Sequence, residues 1–128
     1  MKENSILTIS NKSEVLYLRL DQILYIQADG NYCDIHLVDG SVLNTLTYQR
    51  AEIARMIQEQ VSEECSKQFV MLGKSYLVNI NYVLRIQPGR QQLTFSVNQF
   101  GTAYKIHLKA TKKALIQLII EIDEVVTM

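Results

Sequence analysis

Apolar and polar positions alternate through the first third of the chain. Ile6-Leu7-Thr8-Ile9 and Val15-Leu16-Tyr17-Leu18 flank the turn-forming run Ser10-Asn11-Lys12-Ser13, which predicts two strands joined by a tight connection. Ile23 to Gln27 is a third strand, rich in branched and aromatic residues. Asp29-Gly30-Asn31 signals a turn, Tyr32 to Leu37 a fourth strand, and Asp39-Gly40 another turn before a strand over Ser41–Leu46. The period then changes near Thr47. Ile53, Met56, Ile57 and Val61 have helical spacing, predicting a helix over about residues 49–60. Strands resume at Phe69–Leu72, Tyr82–Gln87, Gln92–Val97 and Thr102–Leu108, with turns at Pro88-Gly89-Arg90 and Phe100-Gly101. From Thr111 to Val126 the pattern is amphipathic again, with Leu115, Leu118, Ile119 and Ile122 recurring at three- and four-residue spacing. Short strands with a mid-chain and a terminal helix predict an α+β, β-dominated fold of small antiparallel sheets, in one domain over 1–128.

Composition narrows the class. Apolar residues make up 48% and charged residues 20% of the chain, ordinary for a folded domain of 128 residues and unlike a disordered one. Two cysteines, Cys33 and Cys65, form no disulfide framework, which suits a reducing cytoplasm. The polar start Met1-Lys2-Glu3-Asn4-Ser5 reads as no secretory signal. The longest apolar run, Ala114 to Ile120, is interrupted by Gln117 and too short to cross a bilayer.

Net charge is zero, yet the charges are sorted along the chain. Residues 1–65 hold five basic and ten acidic side chains, whereas 66–120 hold eight basic ones and no acid. Such sorting can build a positive face on a neutral molecule, the electrostatic signature of nucleic-acid binding. Lys74, Lys105, Lys109, Lys112 and Lys113 are expected to share that face.

Catalytic chemistry finds little support. Cys33-x-x-His36 has a spacing found at metal sites, but a closed zinc site needs four ligands, and Cys65 and His107 supply no second pair. On a strand, Cys33 and His36 also point to opposite faces. That geometry equally opposes a thiol–imidazole nucleophile, and no glycine-rich phosphate loop accompanies either residue. Neither an enzyme, a metal site nor a cofactor is expected.

Three segments, Ile23-Leu24-Tyr25-Ile26-Gln27-Ala28-Asp29-Gly30-Asn31-Tyr32, Phe69-Val70-Met71-Leu72-Gly73-Lys74-Ser75-Tyr76-Leu77-Val78-Asn79 and Tyr104-Lys105-Ile106-His107-Leu108-Lys109, in that order resemble the LytTR family of bacterial transcriptional regulators. The second is the most specific, and the likeness covers roughly residues 12–122. What the resemblance implies is an elongated β-fold whose loops enter successive major grooves on one face of duplex DNA. Its base contacts carry over to Asn31, Lys74 and Lys109. Asn can pair bidentately with adenine, and Lys can donate to guanine or phosphate. Lys112 and Lys113 open a helix, where backbone N–H groups also favour phosphate, and Lys105 adds charge nearby.

Departures from the family pattern lie at Met71, usually basic, at Gly73, usually histidine, at Lys109-Ala110 in place of Ser-Arg, and at His107, where proline is common. Asn79 and Ser75 read as structural, and Tyr32 and Tyr76 as sheet-packing rings. The expected partner is double-stranded DNA, with a homodimer on repeated half-sites as a further option. The competing reading is a LytTR-like protein-interaction module whose DNA binding is weakened or lost.

Overall fold

The computed structural model describes residues 5–10, 12–44, 48–99 and 101–127. A hairpin of β1 (Ile6–Ser10) and β2 (Val15–Arg19) comes first. Then follow β3 (Ile23–Asp29), β4 (Tyr32–Leu37) and β5 (Val42–Asn44), helices α1 (Arg50–Gln60) and α2 (Glu63–Ser66), and strands β6 (Phe69–Leu72) and β7 (Tyr76–Asn79). The chain ends in β8 (Val83–Gln87), β9 (Gln92–Gln99), β10 (Thr102–Lys109) and α3 (Lys112–Thr127). Three antiparallel sheets result: β1-β2, a five-stranded sheet in the order β5-β4-β3-β7-β6, and a three-stranded sheet in the order β10-β9-β8.

The five-stranded sheet is the middle layer, covered on both faces. On one side Ile26, Cys33, Ile35 and Leu77 pack with Leu7 and Ile9 of the hairpin and with Ile53 and Ile57 of α1. On the other, Tyr25, Val70, Leu72 and Val78 meet Leu93, Phe95 and Val97 of β9 and Leu115 and Leu118 of α3. Because β3 is buried on both faces it is apolar almost throughout. A register shift between Ile23 and Tyr25 lets the consecutive Leu24 and Tyr25 both enter the second core.

Polar ties join the layers. Gln60 and Thr8 exchange two hydrogen bonds, Thr8 N–H to Gln60 Oε1 at 2.8 Å and Gln60 Nε2 to Thr8 O at 3.0 Å, fastening α1 to the hairpin. Asn79, fully buried, donates from Nδ2 to Ile23 O at 3.0 Å and accepts from Asn81 N–H at 3.1 Å. It is therefore the structural amide its sequence context suggested. The Tyr104 hydroxyl donates to Val38 O, and that of Tyr82 to Asp21 O, linking the three-stranded sheet and its approach to the middle layer.

The α+β, β-dominated expectation holds, with additions. Strand β7 and the short helix α2 lie where no element was expected. Thr45 and Leu46 of the expected fifth strand, Thr47 at the change of period, and Asn11 and Phe100 of two expected turns lie outside the described residues. Pro88-Gly89-Arg90 forms a turn of 3-10 helix, and the left-handed residue that completes it is Gln91 (φ +55°), not the glycine.

Candidate nucleic-acid interface

Two hairpin turns and the starts of two helices meet at one end of the middle sheet. Strand β3 runs antiparallel to β7, pairing Gln27 with Tyr76, so the β3–β4 turn and the β6–β7 turn emerge side by side. Ala28 N–H donates to Ser75 O at 2.7 Å and carries the ladder to the edge. The first turn is Gly30-Asn31, with Gly30 at φ +65°. The second is Gly73-Lys74-Ser75, with Gly73 at φ +60°.

Helix α1 holds both turns through consecutive residues. Gln49 Nε2 lies 3.5 Å from Asn31 Oδ1, and Arg50 Nη1 donates to Gly73 O at 2.6 Å. The Glu52 carboxylate accepts from Gln49 N–H at 3.1 Å and steadies this helix start. On the far side Gly73 comes against α3: a Cβ built on it would sit 3.5 Å from Ala114 Cβ. Thr111 caps α3, accepting from Ala114 N–H at 3.1 Å, and so places Lys113 in the first turn beside Gly73.

Between the β6–β7 turn and α3 lies an open groove of about 710 Å³. Lys74, Lys109 and Lys113 line it over an apolar floor that includes Leu72, Ala110 and Ala114, with one carboxylate, Glu121, also in its lining. Lys105 stands elsewhere. On β10, Lys105 and Lys109 share the outer face of the three-stranded sheet, opposite Ser96 and Gln92, but Lys105 lines a second groove with Arg85, Arg90 and His107. Lys112 is exposed on α3 and lines neither groove. Of the five lysines expected on one face, three therefore share a groove and two do not.

Some side chains differ from expectation. Tyr76 packs in the second core, its ring edge-on to Tyr25 at 5.9 Å. Tyr32, on β4 beside Asn31, is 54% exposed and so is not a core ring. Gln49 and Arg50 had no signal in the chain beyond opening a helix. Only their contacts with Asn31 and Gly73 bring them into the site.

Cys33 and His36 lie on opposite faces of the sheet. Cys33 packs in the first core, whereas His36 stacks on Tyr25 at 4.2 Å, and Tyr25 on Phe95 at 5.6 Å, towards the second. Burial, with Asp34 nearby, pushes the Cys33 thiol up to about 11, the reverse of an activated nucleophile. Among the described residues no group of three or more His, Cys, Asp or Glu is placed to hold a metal ion.

The sequence profile of the LytTr DNA-binding domain matches residues 13–116. Among solved structures the chain is similar to the LytTr DNA-binding domain of a protein from Bacillus cereus described as a methyl-accepting/DNA response regulator. The TM-score is 0.59 at 12% identity, over 93% of this chain and 97% of that one, a likeness of fold alone. No curated protein matches the sequence. With most of its length inside the profile and the same fold, this chain belongs to the LytTr DNA-binding domain family, a family of DNA-binding rather than catalytic domains that serve transcription regulation.

Proposed function

We propose that this chain, acting as one domain in the cytoplasm, binds duplex DNA sequence-specifically by laying the rim from Asn31 to Lys113 across successive major grooves of one DNA face. One observation carries the reading: Lys74, far along the chain from Lys109 and Lys113, lines a single groove with them next to the turn that bears Asn31. Asn31 is exposed and offers an amide for adenine; Lys74 and Lys109 offer donors for guanine or phosphate. Lys112 and Lys113 meet phosphate at the start of α3, where the helix N–H groups add to the attraction. Lys105, with Arg85 and Arg90, supplies a flanking backbone contact. Two copies on repeated half-sites each use their own rim.

A second reading has one observation in its favour. Met71 and Gly73 offer no polar side chain to DNA, and the groove floor is apolar, as suits a protein partner. Salt dependence separates the two. Duplexes selected from a random pool are titrated at several salt concentrations with the wild type and with a Lys74→Ala/Lys109→Ala/Lys113→Ala variant. The log–log slope is expected to shrink by about 0.9 for each phosphate that the variant no longer neutralises, up to about 2.7 if all three lysines meet phosphate. No selected sequence, or equal affinities for the two proteins at every salt concentration, would overturn the DNA reading and favour the interaction module.

A further inference from the structure

Helix α3 carries a solvent face that its DNA role leaves unexplained. The helix buries Leu115 and Leu118, but Ile116 and Ile120 are 43% and 47% exposed, one turn apart on the opposite side. Lys112 and Lys113 flank this pair towards the N-terminus, and Asp123 and Glu124 towards the C-terminus, all exposed. Positions 113, 116, 120 and 123 follow the three-four-three spacing of a seam between paired helices.

The charges are also set against the helix itself. Its first turn holds lysines and no acid, while its last turn holds no base and carries Glu124, with Asp123 just before it. The helix dipole favours the reverse arrangement at both ends. A neighbouring helix running the other way removes both penalties, because each basic end then meets an acidic one.

We propose that α3 is a self-association surface, pairing antiparallel with the α3 of a second copy of this chain about a two-fold axis level with Leu118. That axis lays Ile116 of one copy against Ile120 of the other. It sets Lys113 against Asp123 and brings Lys112 level with Glu124, all by the same symmetry operation. A parallel pair is excluded by sign, since it sets lysine on lysine and acid on acid. The inference goes beyond the DNA reading and does not rest on it. It bears on that reading in one way: the pair covers Lys112 and Lys113, so a copy paired through α3 is not the copy that grips DNA.

The seam is short. Sixteen residues make a helix about 24 Å long at roughly 1.5 Å per residue, less contact than the roughly 1,200 Å² of a stable interface requires. The association is therefore weak and reversible, with a dissociation constant in the micromolar range or above.

Sedimentation of the DNA-free protein over a wide concentration range tests this. The wild type is expected to move from monomer to dimer. Lys112→Glu/Lys113→Glu and Asp123→Lys/Glu124→Lys should each raise the dissociation constant about tenfold or more. All four changes together restore the complementarity and should return it to near the wild-type value, with circular dichroism confirming that every variant is folded. Ile116→Ser/Ile120→Ser should abolish the dimer and still bind a single-site duplex at least as tightly as the wild type. A wild type that stays monomeric at the highest concentration, or a fourfold variant no better than its halves, overturns the proposal. Loss of DNA binding by the lysine variants alone speaks only to the DNA reading.

Discussion

Arg50→Ala tests whether the β6–β7 turn is held ready for DNA by α1. Arg50 is half-buried, and its Nη1 donates to Gly73 O at 2.6 Å, next to Lys74. A hydrogen bond from a charged donor contributes roughly 1.5–3 kcal/mol; partial exposure to water discounts this to about 1 kcal/mol. For a domain of this length that is a fall in Tm of about 3–6 °C. The effect on binding comes from order. A turn released in the free protein must be fixed again on DNA, at a cost no greater than the roughly 1 kcal/mol the bond supplied, or up to about fivefold in affinity. Because Arg50 is engaged with a carbonyl rather than with phosphate, the salt slope should stay as in the wild type. Arg50→Lys, which keeps the charge and one donor, should recover part of the stability and part of the affinity. Thermal melts and fluorescence anisotropy over a salt series measure all three quantities. An unchanged Tm with a slope reduced by about 0.9 would refute the reasoning, since Arg50 would then be a direct phosphate contact.

Three further outcomes are expected. Gly73→Ala should cost about 1–2 kcal/mol in a denaturant melt, and Gly73→Asn less, because the cost is that of a left-handed φ of +60°. Sterics add little there, the new Cβ being in ordinary contact with Ala114. Asn79→Ala should destabilise by about 2–3 kcal/mol, since it leaves the carbonyl of Ile23 and the N–H of Asn81 without their partner in or beside the core. Stability should fall as the pH drops below about 6.5, measured by urea melts in buffers on either side. Burial lowers the affinity of His36 for a proton, though Asp34 opposes this. The unfolded chain then takes up a proton that the native state resists, and His36→Gln should flatten that slope. The sign reverses for Cys33: its thiol is held neutral up to about 11, so stability is lost as the unfolded thiol ionises above about pH 9.

The elements whose side chains have a period were legible in the chain alone. The β1–β2 hairpin alternates, α1 and α3 repeat at three and four residues, and glycine or proline punctuates most of the turns. These are local signals, written within one element and its flanks. Strand β7 escaped because it sits between β3 and β6 with both faces covered: Tyr76 and Val78 enter one core and Leu77 the other. Four residues buried on both sides show no alternation. Helix α2, equally short, completes barely one turn, so its cap at Ser62 was the only signal available.

For the site, the motifs around Asn31, Lys74 and Lys109 were legible, as was the sorting of charge along the chain. Which of these residues meet follows from the fold. The antiparallel register of β3 on β7 sets the turns of Asn31 and Lys74 side by side. The first residues of α1 then hold both, across 18 and 23 positions of chain. Alternation along β10 puts Lys105 and Lys109 on one face, yet packing of α3 against the β6–β7 turn draws Lys109, with Lys74 and Lys113, into a separate groove. Tyr32 could be read as a packing ring because its composition and strand are those of one. It is more than half exposed, at the first residue of β4 beside the turn. Meetings of this kind depend on register and on how layers stack, and neither leaves a pattern within any single segment.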